Sequence, residues 1–483
     1  MVASGILLSI PFSYPNLYFI AWLALLPGLY SLITESSSKA FLKGWIMGMS
    51  FLIGISYWLY HPLANFSGLS FPIILVLLLL LFAIFGLPYG IWAWIYIKLK
   101  DNNIIHPFLL AFSWVGVEFL RFKLIPFFAF GYLGYTQVNF KSLLQLAELG
   151  GILLISFIII LFNGYLFKFL RYKHKKSLIC LLFLIIIIVS YGSYQYSNYQ
   201  NENFNQIKVG IVQTRIPQEN KWLPKNIEKN MNSMLKDRRD FKQNHLIITP
   251  ETSLTFDLIR NEYYRDIFNK KLDLFDTYLQ VGSQSIKKNQ KGKFNSSFLI
   301  SPEGEIIKRY NKNRLVVFGE YIPFNKLVNS LTNINLKSLE SGQQIKLFKA
   351  PFADWKTAIC SEILHPLLIQ QKIDKVDFIV NQSNESWYRN SNLQRQMWAA
   401  AIMRAVENRR SVVKAGNFAY NGVVYPSGYS NRTDLTYVGG FSVLVKLSRK
   451  LTIYQKWGNY IGYISLIVVI LIVIIKLLRK WFY

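Results

Sequence analysis

The chain has 483 residues, of which 52% are apolar and 16% aromatic, and its mean hydropathy of +0.25 excludes a single soluble domain. Lys and Arg total 54 against 26 Asp and Glu, a net charge of +28, which together with long apolar runs favours a membrane protein with basic loops and excludes disorder. The two cysteines, Cys180 and Cys360, lie far apart, which argues against a disulfide framework or a Cys-rich metal site.

The first 200 residues are a succession of apolar stretches, many close to the about 20 residues that a helix needs to cross a bilayer. We predict eight membrane spans, at 2–13, 16–34, 40–61, 71–98, 105–121, 146–170, 177–195 and 459–478. The first span is short. No Lys or Arg precedes it and no small-residue cleavage site stands out, so we expect no removable signal peptide.

Residues 201–457 contain short β-rich runs broken by Asn, Lys, Gly and Pro, with no stretch apolar enough to span a membrane. Strands are predicted at 207–211, 246–249, 279–282, 355–360 and 376–381, a hairpin over 294–311 and a helix over 391–409. Alternating strands and helices indicate an α/β domain with mixed strand pairing. The predicted domains are therefore 1–200 in the membrane, 201–457 outside it, and 458–483 as a last helix and tail.

Basic residues indicate the orientation of the spans. With eight spans, the Lys and Arg clusters near residues 39–43, 98–100, 168–176 and 476–480 fall on one side, which the positive-inside rule assigns to the cytoplasm. The α/β domain then faces outward, into the periplasm of a bacterium. Its surplus of basic residues suits anionic lipid headgroups better than nucleic acid, because no nucleic-acid recognition motif accompanies the charge.

Three polar residues follow apolar runs in the α/β domain, where loops commonly expose functional groups. They are Glu251, Lys312 and Cys360. A thiol nucleophile needs a proton acceptor and a positive group to stabilise the oxyanion, and a carboxylate with an ammonium meets both needs. Spacing alone does not show that the three meet. Taken singly, each is more simply explained as a buried thiol, a solvated lysine or a loop carboxylate.

The local sequences around these residues are more specific. They are Thr249-Pro250-Glu251-Thr252, Phe294-Asn295-Ser296, Tyr310-Asn311-Lys312, Phe318-Gly319-Glu320-Tyr321-Ile322-Pro323, Ile359-Cys360-Ser361-Glu362 and Asn384-Glu385-Ser386-Trp387-Tyr388. In order and spacing they resemble the nitrilase (carbon-nitrogen hydrolase) superfamily and, within it, the apolipoprotein N-acyltransferase family. The membrane half shares the resemblance, at Ala21–Pro27, Trp114, Glu118–Arg121 and Gly131-Tyr132.

The resemblance implies an αββα sandwich beside the helical membrane bundle, and it implies roles for individual residues. Cys360 would be the nucleophile, Glu251 the general base and Lys312 the cation that stabilises the tetrahedral intermediate, with Glu320, Ser361 and Glu362 in support. Four aromatic residues would line the mouth of the site or grip acyl chains, although ordinary core or interface packing explains them equally well. These are Phe318, Tyr321, Trp387 and Tyr388.

The resemblance also implies a reaction. An acyl chain would pass from a membrane phospholipid to Cys360 as a thioester, and then to the α-amine of an apolipoprotein's N-terminal diacylglyceryl-cysteine. We expect a monomer in the bacterial inner membrane that needs no metal or other cofactor. Ser361 stands where the family usually has Tyr, and Ala415-Gly416-Asn417 where it has Ser-Thr-Asn. Two other classes stay open: a transporter with a binding domain, and a membrane-anchored amidase or inactive scaffold.

Overall fold

The computed structural model describes residues 1–100, 106–126, 128–234, 241, 243–272, 277–286, 292–317, 319–321, 338–388 and 390–482. The chain forms two units. One comprises Met1–Asn201, Ser391–Ala399 and Thr452–Tyr483, and the other Glu202–Asn390 and Ala400–Leu451. The first is helical, and the second is built on two β-sheets.

The helical unit is made of long apolar helices joined by short turns. Its helices are Val2–Ser13, Pro15–Trp22, Leu26–Leu32, Ser37–Ser56, Tyr57–Leu59, Tyr60–Phe66, Phe71–Leu99, Pro107–Leu124, Leu133–Gln137, Lys141–Gln145, Ala147–Tyr172, Lys175–Asn201, Ile453–Trp457 and Tyr460–Phe482. Leu, Ile and Val side chains stay exposed along several of these helices, most of all on Phe71–Leu99, Lys175–Asn201 and Tyr460–Phe482. Such faces are stable only against lipid, which makes the unit a transmembrane bundle.

Within the described residues, six helical segments are long and apolar enough to cross a membrane. They are Pro15–Leu32, Ser37–Phe66, Phe71–Leu99, Ala147–Tyr172, Lys175–Asn201 and Tyr460–Arg479, and they match six of the eight predicted spans. The first predicted span is the short apolar helix Val2–Ser13. The fifth is the helix Pro107–Leu124, which carries Glu118, Arg121 and Lys123 and is therefore less apolar than the six.

Small residues let two of these helices approach closely. A Cβ atom added to Gly44 would lie 2.5 Å from the carbonyl oxygen of Tyr89, and one added to Gly48 would lie 2.6 Å from the ring of the same tyrosine. Two glycines four residues apart thus form a groove on the helix Ser37–Ser56, into which Phe71–Leu99 packs. Close backbone packing of this kind is a principal source of attraction between helices in lipid.

The second unit contains thirteen described strands in two sheets. They are β1 (Gln206–Gln213), β2 (Leu246–Ile248), β3 (Leu254–Asp257), β4 (Tyr278–Ile286), β5 (Lys293–Ile300), β6 (Ile306–Asn311), β7 (Leu347–Ala350), β8 (Ala353–Ile359), β9 (Phe378–Asn384), β10 (Ser411–Asn417), β11 (Gly422–Val424), β12 (Ser430–Arg432) and β13 (Gly439–Lys446). One sheet has the order β13-β1-β2-β4-β5-β6 with β3 paired to β4, and the other β12-β11-β10-β9-β8-β7.

Parallel and antiparallel pairs occur in both sheets, as the sequence predicts. β1, β2 and β4 run parallel, as do β8, β9 and β10, while hairpin neighbours such as β5 and β6 are antiparallel. The predicted strands and the 294–311 hairpin are confirmed, and the predicted helix appears as Leu393–Asn408. The remaining helices of the unit include Gln218–Lys221, Ile227–Met234, Glu262–Leu272 and Pro366–Gln370.

Two hydrophobic cores explain the layers of this unit. Alternate residues of β1 such as Val209 and Ile211 lie in one cluster with Trp355, Phe378 and residues of the opposite sheet. Residues that point the other way, such as Val212 of β1, form a second cluster on the outer face with Met231 and Phe268 of two helices. Because side chains alternate along a strand, one sheet can feed both cores. The result is the predicted αββα sandwich.

Candidate active site

Cys360 lies at the sharp turn that follows β8, where the strand gives way to the 3₁₀ turn Cys360–Leu364. Its φ of +54° is left-handed, a conformation that costs a residue with a Cβ atom about 1–2 kcal/mol. Cys360 is 9% exposed. Strain of this kind persists only where the surrounding contacts hold it, and it commonly marks a functional position.

Glu362 holds that turn against the end of β6. Its carboxylate accepts the backbone N–H of Ile359 at 2.7 Å, the N–H of Asn313 at 2.6 Å and the hydroxyl of Tyr310 at 2.9 Å. Burial raises the pKa of Glu362, and these donors together with Lys312 act against that rise. The predicted supporting residue therefore connects the segment that bears Cys360 to the segment that bears Lys312.

Lys312 lies between two carboxylates immediately after β6. Its Nζ is 3.3 Å from Oε1 of Glu251 and 2.8 Å from Oε2 of Glu320. The amide nitrogen of Asn295 joins the same two carboxylates, donating to Glu251 at 2.6 Å and to Glu320 at 2.8 Å. Lys312, Glu251 and Asn295 are all at least nine-tenths buried, so the carboxylates and the ammonium have few rotamers available.

The charges of this cluster act on the Cys360 thiol. Burial raises the pKa of Cys360 well above its usual value, Glu251 raises it further, and Lys312 opposes the rise. For Lys312, burial lowers the pKa, but Glu251 and Glu320 outweigh burial and hold it well above the usual range. The resting site is thus a protonated thiol beside a charged lysine, and the thiol can attack only if a base removes its proton.

A glycine on β4 allows Glu251 to reach this position. A Cβ atom added to Gly282 would lie 2.5 Å from the backbone nitrogen of Thr252, 2.6 Å from the carbonyl oxygen of Pro250 and 2.9 Å from Cα of Glu251. All three are backbone atoms, so the turn would have to move. No other residue type fits at this point of β4 without displacing the carboxylate.

For the acylation of Cys360 that the sequence resemblance implies, we predict that Gly282→Ala displaces Glu251 and lowers the rate about 100-fold, because misplacement by about 1 Å has an effect of that order. Overpacking should also destabilise the domain by about 1–3 kcal/mol. Rates of acyl-enzyme formation and thermal unfolding measure the two effects. Gly304→Ala is the control: Gly304 has a φ of +83° but nothing within 4 Å of an added Cβ, so stability should fall without loss of rate.

The predicted aromatic residues differ in their positions. Tyr388 is half-buried, and desolvation of its hydroxyl followed by the charge of the Cys360 thiol raises its pKa, so this hydroxyl lies within electrostatic range of the thiol. Trp387, Tyr321 and Ser361 are half-buried. Phe318 lies outside the described residues. Tyr388 therefore interacts electrostatically with the Cys360 thiol, and substrate contacts by the four aromatic residues stay predictions.

Sequence reasoning missed several residues of the site. Asn295 belongs to the Phe294-Asn295-Ser296 motif, but a lone Asn in a strand carries no signal of its bridging contacts. Glu385 forms a buried ion pair with Lys414 of β10, and its charge acts on the pKa of Cys360. A charged residue inside an otherwise apolar strand, as Lys414 is, was the available signal for this pair.

Comparisons with known proteins cover both units. Residues 4–165 match the family model described as the apolipoprotein N-acyltransferase N-terminal domain, and residues 208–439 match that of the carbon-nitrogen hydrolases. Among curated proteins, the apolipoprotein N-acyltransferase of Geobacter metallireducens is 27% identical over 95% of this chain and 91% of its own length. That of Aquifex aeolicus is 26% identical over 88% of this chain and 93% of its own length.

Among solved structures, a carbon-nitrogen hydrolase superfamily protein of Xanthomonas campestris is similar to 53% of this chain over 96% of its own, with 13% identity and a TM-score of 0.39. A nitrilase superfamily member of Saccharomyces cerevisiae covers 52% of this chain and 93% of its own, with 14% identity and a TM-score of 0.39.

Together, the helical bundle and the αββα unit define a multi-pass membrane enzyme with a carbon-nitrogen hydrolase domain. The two matched regions follow each other in one chain, and the relative of Geobacter metallireducens matches 95% of that chain. The chain belongs to the apolipoprotein N-acyltransferase family. It is an acyltransferase with several membrane-spanning helices.

Proposed function

We propose that this enzyme transfers an acyl chain from a membrane phospholipid, through a thioester on Cys360, to the N-terminal α-amine of diacylglyceryl-cysteine on apolipoproteins. The observation that carries the proposal is the arrangement of Glu251, Lys312 and Cys360 in one buried charged cluster. A carboxylate, an ammonium and a thiol are the groups that acyl transfer through a covalent intermediate requires.

In the first half-reaction the sulfur of Cys360 attacks the ester carbonyl of the lipid while Glu251 accepts the thiol proton. A carbon–sulfur bond forms, and the negative charge that develops on the carbonyl oxygen is stabilised by the Lys312 ammonium and by the backbone N–H of Ser361. When the intermediate collapses, the carbon–oxygen bond breaks. Glu251 returns the proton to the leaving oxygen, which releases a lysophospholipid and leaves the acyl chain on sulfur.

In the second half-reaction the α-amine of the acceptor attacks the thioester. Glu251 accepts a proton from the attacking nitrogen, the carbon–nitrogen bond forms, and the carbon–sulfur bond breaks. The proton then returns to sulfur, which restores the thiol. Splitting the transfer in this way predicts ping-pong kinetics. Burial of Cys360 supports the proposal because the thioester must be protected from water between the two steps.

The site and its surroundings suggest the remaining roles. We propose that residues 201–457 form the catalytic domain on the periplasmic side, where lipoprotein acceptors are found, and that 1–200 and 458–483 hold it in the membrane. Asn295, Glu320 and Glu362 position the reacting groups, and Tyr388 contacts the substrate next to the thiol. We propose that a monomer suffices, because all of these groups lie in one chain.

Intact-mass analysis tests the proposal directly. We expect incubation of the purified protein with a diacyl phospholipid to increase its mass by one acyl group, and hydroxylamine to remove that group, as it does a thioester. Peptide mapping should place the group on the peptide that contains Cys360. The control lipid is an ether-linked phospholipid, which has no carbonyl carbon to attack and should give no adduct.

A second control separates the two thiols of the chain. Cys180 lies in the membrane helix Lys175–Asn201, so Cys180→Ser should retain the adduct in full. Absence of any adduct on native protein, or an adduct confined to Cys180, would overturn the thioester mechanism. An adduct that no acceptor amine can discharge would leave the first half-reaction intact and overturn the second.

A further inference from the structure

Lys221 is a second buried lysine of the catalytic unit, and the mechanism above does not use it. It ends the short helix Gln218–Lys221, which follows β1, and it is 2% exposed. Its backbone carbonyl accepts the side-chain N–H of Asn230 at 3.0 Å. A lysine in such a position pays a desolvation cost that must be offset by specific contacts.

Those contacts are with the turn that carries Glu251. The Lys221 ammonium donates to the backbone carbonyl of Glu251 at 3.0 Å and to the hydroxyl of Thr252 at 2.8 Å. Thr252 has a left-handed φ of +45°, which a β-branched residue rarely adopts. Lys221 thus binds both residues of the turn, and Gly282 supports the same turn from β4.

The other end of the same helix binds a second loop of the site. The side-chain oxygen of Gln218 accepts from the amide of Asn384 at 2.9 Å and from the hydroxyl of Ser386 at 3.1 Å. One helical turn therefore connects the Glu251 turn to the loop that continues into Tyr388. The groups at both ends of this helix are buried. In such surroundings a hydrogen bond from a charged donor, here the Lys221 ammonium, is stronger than it is in water.

From these contacts we infer that Lys221 is a further positioning residue, which fixes the Glu251–Thr252 turn and thereby aims the carboxylate that takes the Cys360 proton. The inference rests on the proposed function. Lys221 acts through Glu251, because its ammonium contacts the backbone of the base and leaves the carboxylate free for Asn295 and Lys312.

The charge of Lys221 has a second consequence. Burial lowers the pKa of Lys221 to about 8, while Glu251 and the Cys360 thiol act in the opposite direction. Glu219, the acidic residue on the same helix, is exposed. Lys221 is charged below about pH 8 and neutral above it, so its support of the thiolate and its bonds to the turn weaken as pH rises through that value.

The test measures the rate of acyl-enzyme formation in Lys221→Met across a pH series. We expect the maximal acylation rate to fall about 100-fold while the half-saturating phospholipid concentration changes less than about twofold, because the base and not the lipid site is disturbed. The native rate should decline above about pH 8. That decline should be missing in Lys221→Met and move to higher pH in Lys221→Arg, whose side chain stays charged.

Lys225→Gln is the matched control. Lys225 lies four residues further along and is exposed, so rate and pH profile should equal those of the native protein. Thermal unfolding of each variant separates stability from catalysis. If Lys221 had only a structural role, the folded fraction of Lys221→Met would acylate at the native rate with the native pH profile, and that result would overturn the inference.

A second measurement distinguishes failure of this inference from failure of the proposed function. In a Cys180→Ser background Cys360 is the remaining cysteine, and its alkylation by iodoacetamide reports thiolate formation without any lipid. Alkylation slowed about tenfold by Lys221→Met at pH 7 supports the inference even if native protein forms no acyl adduct. Equal alkylation rates in both proteins would contradict the inference about Lys221 even if the acyl adduct forms.

Discussion

Cys360→Ala should abolish acyl transfer and leave the protein folded. Loss of the sulfur removes the atom that forms the covalent intermediate, and enzymes that lose their nucleophile typically lose at least about 10⁴-fold in rate. The fold should tolerate the change, because alanine occupies the left-handed conformation of Cys360 at about the same cost as cysteine. Transfer assays with a diacylglyceryl peptide, together with thermal unfolding, check both expectations.

Two further variants at position 360 separate the role of the sulfur from that of the backbone conformation. Cys360→Ser keeps the shape of the side chain but replaces the thiol with a far weaker acid, so it should be as inactive as alanine. Cys360→Gly relieves the left-handed strain and should stabilise the domain by about 1 kcal/mol relative to Cys360→Ala without any activity. Measurable transfer by Cys360→Ala would show that the acyl chain reaches the amine without the thioester.

Lys312→Met should lower both activity and stability. The ammonium is the partner of two carboxylates, at 3.3 Å from Glu251 and 2.8 Å from Glu320. Removing one member of a buried charge cluster typically costs about 3–5 kcal/mol, because the remaining charges lose their partner. Loss of an oxyanion donor should lower the acylation rate by a further factor of about 10²–10³ in the protein that remains folded.

The double variant Lys312→Met/Glu251→Gln separates these two effects. Neutralising Glu251 removes one of the two unpaired charges while preserving the shape that Asn295 binds, so part of the lost stability should return. A coupling of about 0.5–3 kcal/mol is expected for residues in direct contact. Activity should not return, because the base is then missing as well. Additive stability losses would show that the pair is not coupled in solution.

The site contains more charge than a cysteine nucleophile alone requires. Glu251, Glu320, Glu362 and Glu385 each have a basic or N–H partner among the described residues, and Lys221 adds a cation that the reaction does not consume. A network in which nearly every charge is paired resists rotation of its members. In the proposed mechanism, this rigidity would hold the Glu251 carboxylate and the Lys312 ammonium in place until a substrate enters.

The sequence by itself determined which parts of the chain form membrane helices and which form strands of an α/β domain. Long apolar runs predicted the membrane helices, because a bilayer demands about 20 apolar residues whatever the rest of the chain does. Alternation in runs such as 207–211 and 246–249 predicted the strands, since one face of each must be buried. The fifth span shows where this reasoning weakens: Glu118 binds the backbone N–H of Leu133 and Arg121 the carbonyl of Phe130, partners that hydropathy does not reveal.

Only the tertiary structure decided which polar residues meet. Glu251 follows β2 of one sheet and Cys360 follows β8 of the other, so their proximity depends on strand order and on how the two sheets stack. Local sequence patterns specify neither the strand order nor the stacking of the sheets. Hydrophobic periodicity indicates which face of a strand is buried, but it does not indicate which strands lie beside it. For that reason the sequence alone does not reveal three features of the site. These are the bridging amide of Asn295, the space left by Gly282 and the contacts of the Lys221 ammonium.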